Sequence, residues 1–210
     1  MRLLLILNTL LVGWPAYLLF NAAGRPYPSS SRSVVSHFDP WSPIFSRRER
    51  AEVAASDAAL ALSVGLLAAA GRACGWPTLL CVYGAPYLIV NAWLVTITFL
   101  QHAHPALPHY AGAEWGWLRG ALATVDRSYG RLLDALHHDI ANHHVVHHLF
   151  SAIPHYNAAE ATAALRPLLG AYYVRDRRGV GRALWEDWRA CRYVAPDAGS
   201  GEPGVLWQRE

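Results

Sequence analysis

Apolar residues collect in three long stretches of the chain, at positions 3–20, 53–70 and 76–100. An α-helix needs about 20 mostly apolar residues to cross the hydrocarbon core of a bilayer. The third stretch reaches this length without a charged residue, and the second is Ala-rich with Asp57 near its start. Because only residues 71–75 separate these two stretches, they predict a transmembrane helical hairpin.

The first stretch differs from the other two because Pro15 lies inside it. Proline removes one backbone N–H donor and bends a helix, so this stretch is predicted to be kinked. Arg47, Arg48 and Arg50 stand just before the second stretch. Basic residues next to a span favour the cytosolic side, and a two-span hairpin returns the following chain to that same side.

Beyond residue 100 the apolar runs give way to amphipathic segments, among them a helix predicted over residues 132–150. Residues 196–210, rich in Pro, Asp, Gly and Ser, are predicted to form a disordered tail. The chain is 53% hydrophobic and only 16% charged, which is poor in charge for a soluble domain. The pattern therefore predicts an all-α integral membrane protein with a polar, cytosolic C-terminal region.

Charge and cysteine content exclude two broad classes of protein. The formal net charge of +3 is small and its arginines are scattered, so nucleic acid is not an expected partner. The three cysteines are an odd number and form no spaced framework, which argues against a disulfide-stabilised fold.

Histidines supply the candidate chemistry, because six of the 11 fall within residues 137–148. His144, His147 and His148 form an H-x-x-H-H pattern, and these spacings share one face of a helix. Imidazole binds iron, copper and zinc, but zinc sites usually also contain Cys or Glu. A histidine-only set beside a membrane therefore favours iron that activates dioxygen. The alternative is a solvated histidine-rich helix face.

Four further residues are candidates for the same site. His102 and His104 follow the third apolar stretch, and the hairpin brings them to the side of the H-x-x-H-H pattern. Only one of the two is expected to face a metal, and either is alternatively an interfacial anchor or a helix-end cation. Asp139 and Asn142 are predicted to hydrogen-bond imidazole N–H groups and fix their tautomers; the alternative is a helix cap or solvated surface.

Several longer runs of residues match one family of membrane enzymes. They are GRPY at 24–27, FLQHAHP at 99–105, WLRGALATVDR at 117–127, HVVHHLF at 144–150, IPHY at 153–156 and YVAP at 193–196. On these runs the chain resembles the C-terminal half of plant- and alga-type membrane fatty acid desaturases. The delta-12 (omega-6, oleate) group is the most similar, and the omega-3 group is close.

The resemblance implies an enzyme with two non-haem iron ions that uses dioxygen and electrons from cytochrome b5 or ferredoxin. Such enzymes introduce a cis double bond into a lipid-linked acyl chain at the endoplasmic reticulum, or alternatively at a plastid membrane, and desaturase oligomers are an expected form. The family's third histidine box falls on His144, His147 and His148. A further iron ligand falls on His102, with His104 as the alternative.

The family's first two boxes, H-x-x-x-H and H-x-x-H-H, precede the matching region, so residues 1–195 are expected to form a partial desaturase domain. This chain alone is then expected to be inactive, and the alternative function is a non-enzymatic truncated paralogue that associates with a full-length desaturase. The family's second box precedes the matching region, and its third box follows the hairpin. Both boxes must face the same metals, so an even number of membrane crossings must separate them, and the hairpin supplies two. The first apolar stretch is therefore expected to lie in the membrane interface or to re-enter. Delta-12, omega-3 and hydroxylase-like chemistry all stay open.

Overall fold

The computed structural model describes residues 2–27, 34–196 and 204–210. The chain divides after Val95 into two units, and the helix that ends at His102 runs from the first unit into the second. Most of the described residues are helical, as the apolar pattern predicts. The helices are α1 (Arg2–Phe20), α2 (Arg50–Cys74), α3 (Trp76–Leu79), α4 (Ala85–His102), α5 (Trp117–Leu122), α6 (Arg131–Leu136), α7 (His144–Leu149), α8 (Ala158–Leu169) and α9 (Val180–Ala190).

Three helical segments of the described chain are long and apolar enough to cross a membrane. They are Leu3–Phe20, Arg50–Cys74 and Trp76–His102. The last combines α3, a π-helical turn at Leu80–Gly84 and α4. The two predicted spans are thus confirmed as helices of sufficient length, each a few residues longer than the apolar stretch alone. Their side chains are largely exposed, as lipid-facing side chains are.

Two of the prolines in these helices, Pro86 and Pro15, have different local consequences. Pro86 lies just after the π-helical turn, and such a wide turn is a common way to accommodate a residue that lacks the N–H donor. Pro15 lies inside α1, which continues through it without interruption. The predicted location of the first apolar stretch, in the membrane interface or re-entrant, stays a prediction.

A sharp corner joins α2 to α3. Gly75 between them has φ of 88°, a left-handed conformation that favours glycine. Gly71 lies so close to the Trp76 ring that a Cβ atom there would stand 2.8 Å from it. The chain therefore reverses through a glycine corner where only a small residue fits.

The described part of the second unit also contains five short strands that the sequence pattern did not predict, so the all-α prediction is incomplete. They are β1 (Pro108–Tyr110), β2 (Val125–Arg127), β3 (Val174–Asp176), β4 (Tyr193–Pro196) and β5 (Val205–Arg209). Strand β5 lies antiparallel between β1 and β4, with Tyr110 opposite Val205 and Pro196 opposite Leu206. Strand β2 pairs with β3 in parallel, with Arg127 opposite Asp176.

The disordered tail predicted over residues 196–210 is wrong where the structure describes it. Residues 197–203 lie outside the described residues, but Val205–Arg209 forms the central strand of the three-stranded sheet. The backbone N–H and C=O groups of this segment find partners on both sides, which polar composition alone does not reveal.

The helix predicted over residues 132–150 is also corrected. It is divided into α6 and α7, because His138 and Asp139 between them adopt left-handed φ values of 53° and 57°. Left-handed residues end a right-handed helix. The break gives α7 its own direction and makes His144 its first residue.

Candidate metal centre

Three histidines meet in the second unit. His102 is the last residue of α4, His144 is the first residue of α7, and His148 lies one turn further along α7. One ring nitrogen from each lies within 4.8 Å of the other two. The ring centroids are 5.4 Å apart for His102 and His144, and 4.8 Å apart for His148 with either of them. The H-x-x-H-H spacing therefore brings two ligands together, and the end of α4 supplies a third. We call these three residues the histidine cluster.

His147 lies beside the histidine cluster rather than within it. Its ring centroid is 5.4 Å from that of His144 and 5.9 Å from that of His148, and the residue is exposed. Adjacent residues on a helix point about 100° apart, so His147 and His148 diverge. The role predicted for His147 as a metal ligand stays a prediction.

The structure distinguishes His102 from its alternative, His104. The His104 Nδ1 accepts a hydrogen bond of 3.1 Å from the Ala106 backbone N–H, and its Nε2 lies 3.5 Å from a carboxylate oxygen of Asp176. Both ring nitrogens are thus directed away from the cluster. Of the two histidines at the end of α4, His102 is the one that joins His144 and His148.

Backbone carbonyls, rather than the predicted side chains, hold the outer ring nitrogens of the histidine cluster. The His144 Nδ1 lies 3.1 Å from the Ile140 carbonyl oxygen, and the His102 Nδ1 lies 3.4 Å from that of Ala123. A neutral imidazole that donates its Nδ1–H to a carbonyl presents its Nε2 lone pair to a metal. His102 and His144 are therefore arranged with Nε2 available as a ligand, and one ring nitrogen of His148 lies within 4.8 Å of theirs.

Asp139 and Asn142 have other contacts than the ones predicted for them. The Asn142 amide nitrogen donates to the Asp139 carboxylate at 2.9 Å, and Arg175 donates to the Asn142 oxygen at 3.1 Å. The pair therefore stabilises the turn between α6 and α7 and reaches Arg175, instead of orienting an imidazole of the cluster. The expectation of direct hydrogen bonds to the ligands is corrected in this way.

Burial and mutual proximity favour the neutral form of two rings of the histidine cluster, those of His144 and His148. Burial, reinforced by the neighbouring imidazoles, lowers the pKa of His144 to about 3 and that of His148 to about 4. His144 is only 6% exposed, which contradicts the alternative of a solvated histidine face. Because only neutral imidazole has a lone pair to donate, these rings are in the form that binds a metal at pH 7. Such a set of neutral nitrogen donors fits iron.

Two residues that the sequence did not single out as ligands or as their hydrogen-bond partners support this arrangement. The fully buried Asp126 carboxylate accepts a hydrogen bond of 2.9 Å from the Val145 N–H, in the first turn of α7, and one of 2.6 Å from the Tyr173 hydroxyl. Desolvation raises the pKa of Asp126, and these hydrogen bonds oppose that shift. The guanidinium of Arg127 is also buried and donates to the Leu100 carbonyl at 3.1 Å. Strand β2 thus contacts both helices that carry the cluster.

The Arg127 side chain is itself part of a buried ionic network. Its guanidinium nitrogens lie 3.1 Å from Asp187 and 3.0 Å from Asp176. Arg178 contacts the same two carboxylates, each at 2.7 Å, and also Glu186. Buried charges are tolerated only when they are paired. The ion pairs therefore hold β2, β3 and α9 together.

Comparison with known proteins places this geometry in a family context. The fatty acid desaturase family model matches residues 3–179. The chain is 52% identical over 208 residues to the omega-6 fatty acid desaturase, endoplasmic reticulum isozyme 1, of Glycine max, covering 99% of this chain and 52% of the relative. It is 49% identical over 209 residues to the delta(12)-acyl-lipid-desaturase of Punica granatum, covering 100% of this chain and 53% of the relative.

A third relative is named for a different reaction. The oleoyl-12-hydroxylase of Ricinus communis is 47% identical over 208 residues, covering 99% of this chain and 52% of that protein. The chain therefore spans about half the length of the curated relatives it matches.

Proposed function

The chain belongs to the fatty acid desaturase family, and we propose that it contributes part of the iron centre of a membrane acyl-lipid desaturase of the delta-12 (omega-6) type. The observation that carries this proposal is the histidine cluster of His102, His144 and His148. In the proposal these three residues bind iron through one ring nitrogen each, Nε2 for His102 and His144, and His147 beside them is a further ligand. The remaining iron ligands are proposed to come from the half of the desaturase that this chain does not match in its relatives.

The proposed reaction converts two adjacent CH2 groups of an acyl chain into a cis double bond. Dioxygen is reduced to two molecules of water by four electrons, two from the C–H bonds and two from an external donor. When bound, a pair of iron ions supplies the oxidising power that unactivated C–H bonds require, which acid–base side chains do not provide. The donor is proposed to be cytochrome b5 or ferredoxin, and the substrate an acyl chain of a membrane lipid.

The chain's own residues serve this reaction by holding the ligands neutral and oriented. The carbonyls of Ile140 and Ala123 fix the outer nitrogens of two imidazoles, and burial lowers the pKa of His144, which suppresses its protonation. The long apolar helices keep the site at a membrane, where the acyl chains are. The endoplasmic reticulum is the proposed compartment, by analogy with the soybean relative, with the histidine cluster facing the cytosol.

The proposal is tested in a yeast host whose own fatty acids carry at most one double bond. Because the chain alone is expected to be inactive, the host expresses it joined to a region that supplies the H-x-x-x-H and H-x-x-H-H boxes. We expect gas chromatography and mass spectrometry of the fatty acid methyl esters to show a new dienoic acid. His144→Ala should abolish it, whereas His143→Ala should retain it, since His143 bonds Thr162 instead of the cluster. The same chromatogram resolves hydroxylated products, which would assign the hydroxylase reaction instead.

The alternative, a non-enzymatic partner of a full-length desaturase, predicts a different outcome. It predicts that His144→Ala changes no fatty acid, and that metal-free protein co-purifies with a co-expressed full-length desaturase. Equal product from the wild type and from His144→Ala would also refute the role given to the cluster.

A further inference from the structure

Gln101 is a fully buried polar residue between two residues that are already important to the site. Leu100 before it supplies the carbonyl that Arg127 binds, and His102 after it is a member of the histidine cluster. A buried amide is unfavourable unless its donors and its acceptor are all satisfied. The partners of this side chain therefore indicate why glutamine occupies the position.

The amide nitrogen and the amide oxygen of Gln101 both have hydrogen-bond partners. The nitrogen Nε2 donates to the carbonyls of Val125 at 2.6 Å and Ala141 at 3.0 Å. The oxygen Oε1 accepts from the Tyr129 hydroxyl at 3.2 Å. Two carbonyls on one side and a hydroxyl on the other fit one orientation of the amide, with the nitrogen toward the carbonyls.

The two carbonyls belong to segments that are distant in sequence but adjacent to the site. Val125 begins β2, and Ala141 lies three residues before His144. The side chain of Gln101 thus connects the end of α4 directly to the segment that leads into α7. The Ala141 carbonyl also accepts the Arg127 N–H at 2.8 Å, so that the connected segment is itself held to β2.

The main chain of α4 is fixed at the same point. The Thr124 hydroxyl donates to the Gln101 carbonyl at 2.8 Å, and Arg127 donates to the carbonyl of the preceding residue at 3.1 Å. The last turn of a helix has carbonyls without partners in the helix, and here β2 and the residue before it supply donors to two of them. The end of α4 is therefore held by both its backbone and a buried side chain.

We propose that Gln101 is a positioning residue that sets the separation of His102 from His144 and His148, and so tunes the affinity of the cluster for a metal. This inference rests on the proposed function, in which the three imidazoles bind one metal together. Gln101 does not touch the metal; it acts through His102 on one side and through the Ala141 segment on the other. Residues that orient metal ligands in this way typically change metal affinity by about 10–100-fold when replaced.

A Co²⁺ titration of the full chain in detergent tests this proposal, because the visible absorption of Co²⁺ reports the ligands around it. The signal of the histidine cluster is the part of the absorption that His144→Ala removes. Gln101→Met keeps the size of the side chain but removes its donors and its acceptor, so we expect affinity for Co²⁺ to fall about 10–100-fold. Tyr129→Phe leaves both donated bonds intact and should change the affinity much less.

A double-mutant cycle separates positioning from general destabilisation. Because Gln101 is proposed to set the separation of His102 from the other two imidazoles, Gln101→Met should weaken Co²⁺ binding no further in a His102→Ala background, where that separation no longer exists. Leu107→Ala is the matched control, since it creates a cavity at a fully buried apolar side chain and lowers thermal stability without touching the Gln101 bonds. It should leave the affinity for Co²⁺ at the wild-type value.

Either of two results would overturn the proposal. One is a Gln101→Met protein that binds Co²⁺ as tightly as Leu107→Ala does, and the other is a double variant whose two losses multiply. If Gln101→Met does not fold, Gln101→Glu supplies the test. In its protonated form it retains one donor, and we expect it to have an intermediate affinity, so wild-type affinity would again overturn the idea. Failure of the proposed function is recognised separately, because His144→Ala would then leave the Co²⁺ signal unchanged.

Discussion

Replacement of Asp126 by alanine should destabilise the second unit by an amount that the structure allows us to calculate. The carboxylate accepts the Val145 N–H at 2.9 Å and the Tyr173 hydroxyl at 2.6 Å. Val145 is fully buried, so its N–H has no access to water once the acceptor is lost. A hydrogen bond to a charged group contributes about 1.5–3 kcal/mol, and an unsatisfied buried donor costs about 1–3 kcal/mol.

Removal of a buried charge offsets part of this loss. Desolvation raises the pKa of Asp126 above its ordinary value of 3.8, which means that the charged form is disfavoured in the folded protein. We therefore expect Asp126→Ala to cost about 3 kcal/mol rather than the sum of two charged hydrogen bonds. At about 2–4 °C per kcal/mol, the melting temperature should fall by about 6–12 °C.

Two milder variants divide the effect into its parts. Asp126→Asn keeps an oxygen for the Val145 N–H and removes the buried charge, so its loss should be about 1 kcal/mol or less. Tyr173→Phe removes one bond only and should also cost about 1 kcal/mol. A carboxyl whose pKa is raised on folding stabilises less as pH rises through the interval between its unfolded and folded values. Asp126→Asn should therefore gain relative to the wild type as pH rises above 3.8.

Thermal unfolding of the purified chains in detergent, followed by tryptophan fluorescence, measures all three variants under the same conditions. We expect alanine at position 126 to be the most harmful replacement and asparagine to be nearly neutral at pH 7. Equal losses of stability in Asp126→Asn and Asp126→Ala would show that the negative charge, not the hydrogen-bond acceptor for α7, provides the stabilisation, and would contradict the role given to Asp126.

Three further changes follow from single contacts. His104→Ala removes contacts with Ala106 and Asp176, both outside the histidine cluster, and should leave Co²⁺ affinity at the wild-type value, whereas a loss of affinity would make His104 a candidate ligand again. Arg127→Met breaks the buried ionic network and should cost about 3–5 kcal/mol in thermal unfolding; a neutral result would contradict its structural role. Gly204→Ala places a Cβ 2.8 Å from the Ala111 carbonyl at a φ of 95° and should cost about 2 kcal/mol, detected as faster proteolysis near β5.

The parts of the molecule that the sequence predicted well are those set by local pattern. Long apolar stretches predict long helices because each residue that a lipid surrounds must satisfy its backbone within the helix. The H-x-x-H-H spacing predicted that His144, His147 and His148 converge. The structure brings His144 and His148 together, since four residues make about one turn, whereas His147 lies beside them. The choice of His102 over His104 could not be made from spacing, because it depends on where Asp176 stands, 72 residues later.

The parts that the sequence did not predict depend on contacts between distant residues. In the sequence, Gln101 is only the polar residue at the end of an apolar stretch. Its role depends on hydrogen bonds to Val125 and Ala141, which lie 24 and 40 positions away. Strands of three to five residues are too short to show a clear alternation, and β5 gains its partners from segments far along the chain. The break before α7 arises at His138 and Asp139, which have left-handed φ values although neither is glycine, so the sequence gives no signal of the break.

The iron content of the protein purified from membranes shows whether His102, His144 and His148 together hold a metal. Mass spectrometry should detect iron in the wild-type protein and in the control variant His143→Ala, and His144→Ala should lose most of it while eluting normally on size exclusion. An equal iron content in His144→Ala and the wild type would contradict metal binding by the histidine cluster.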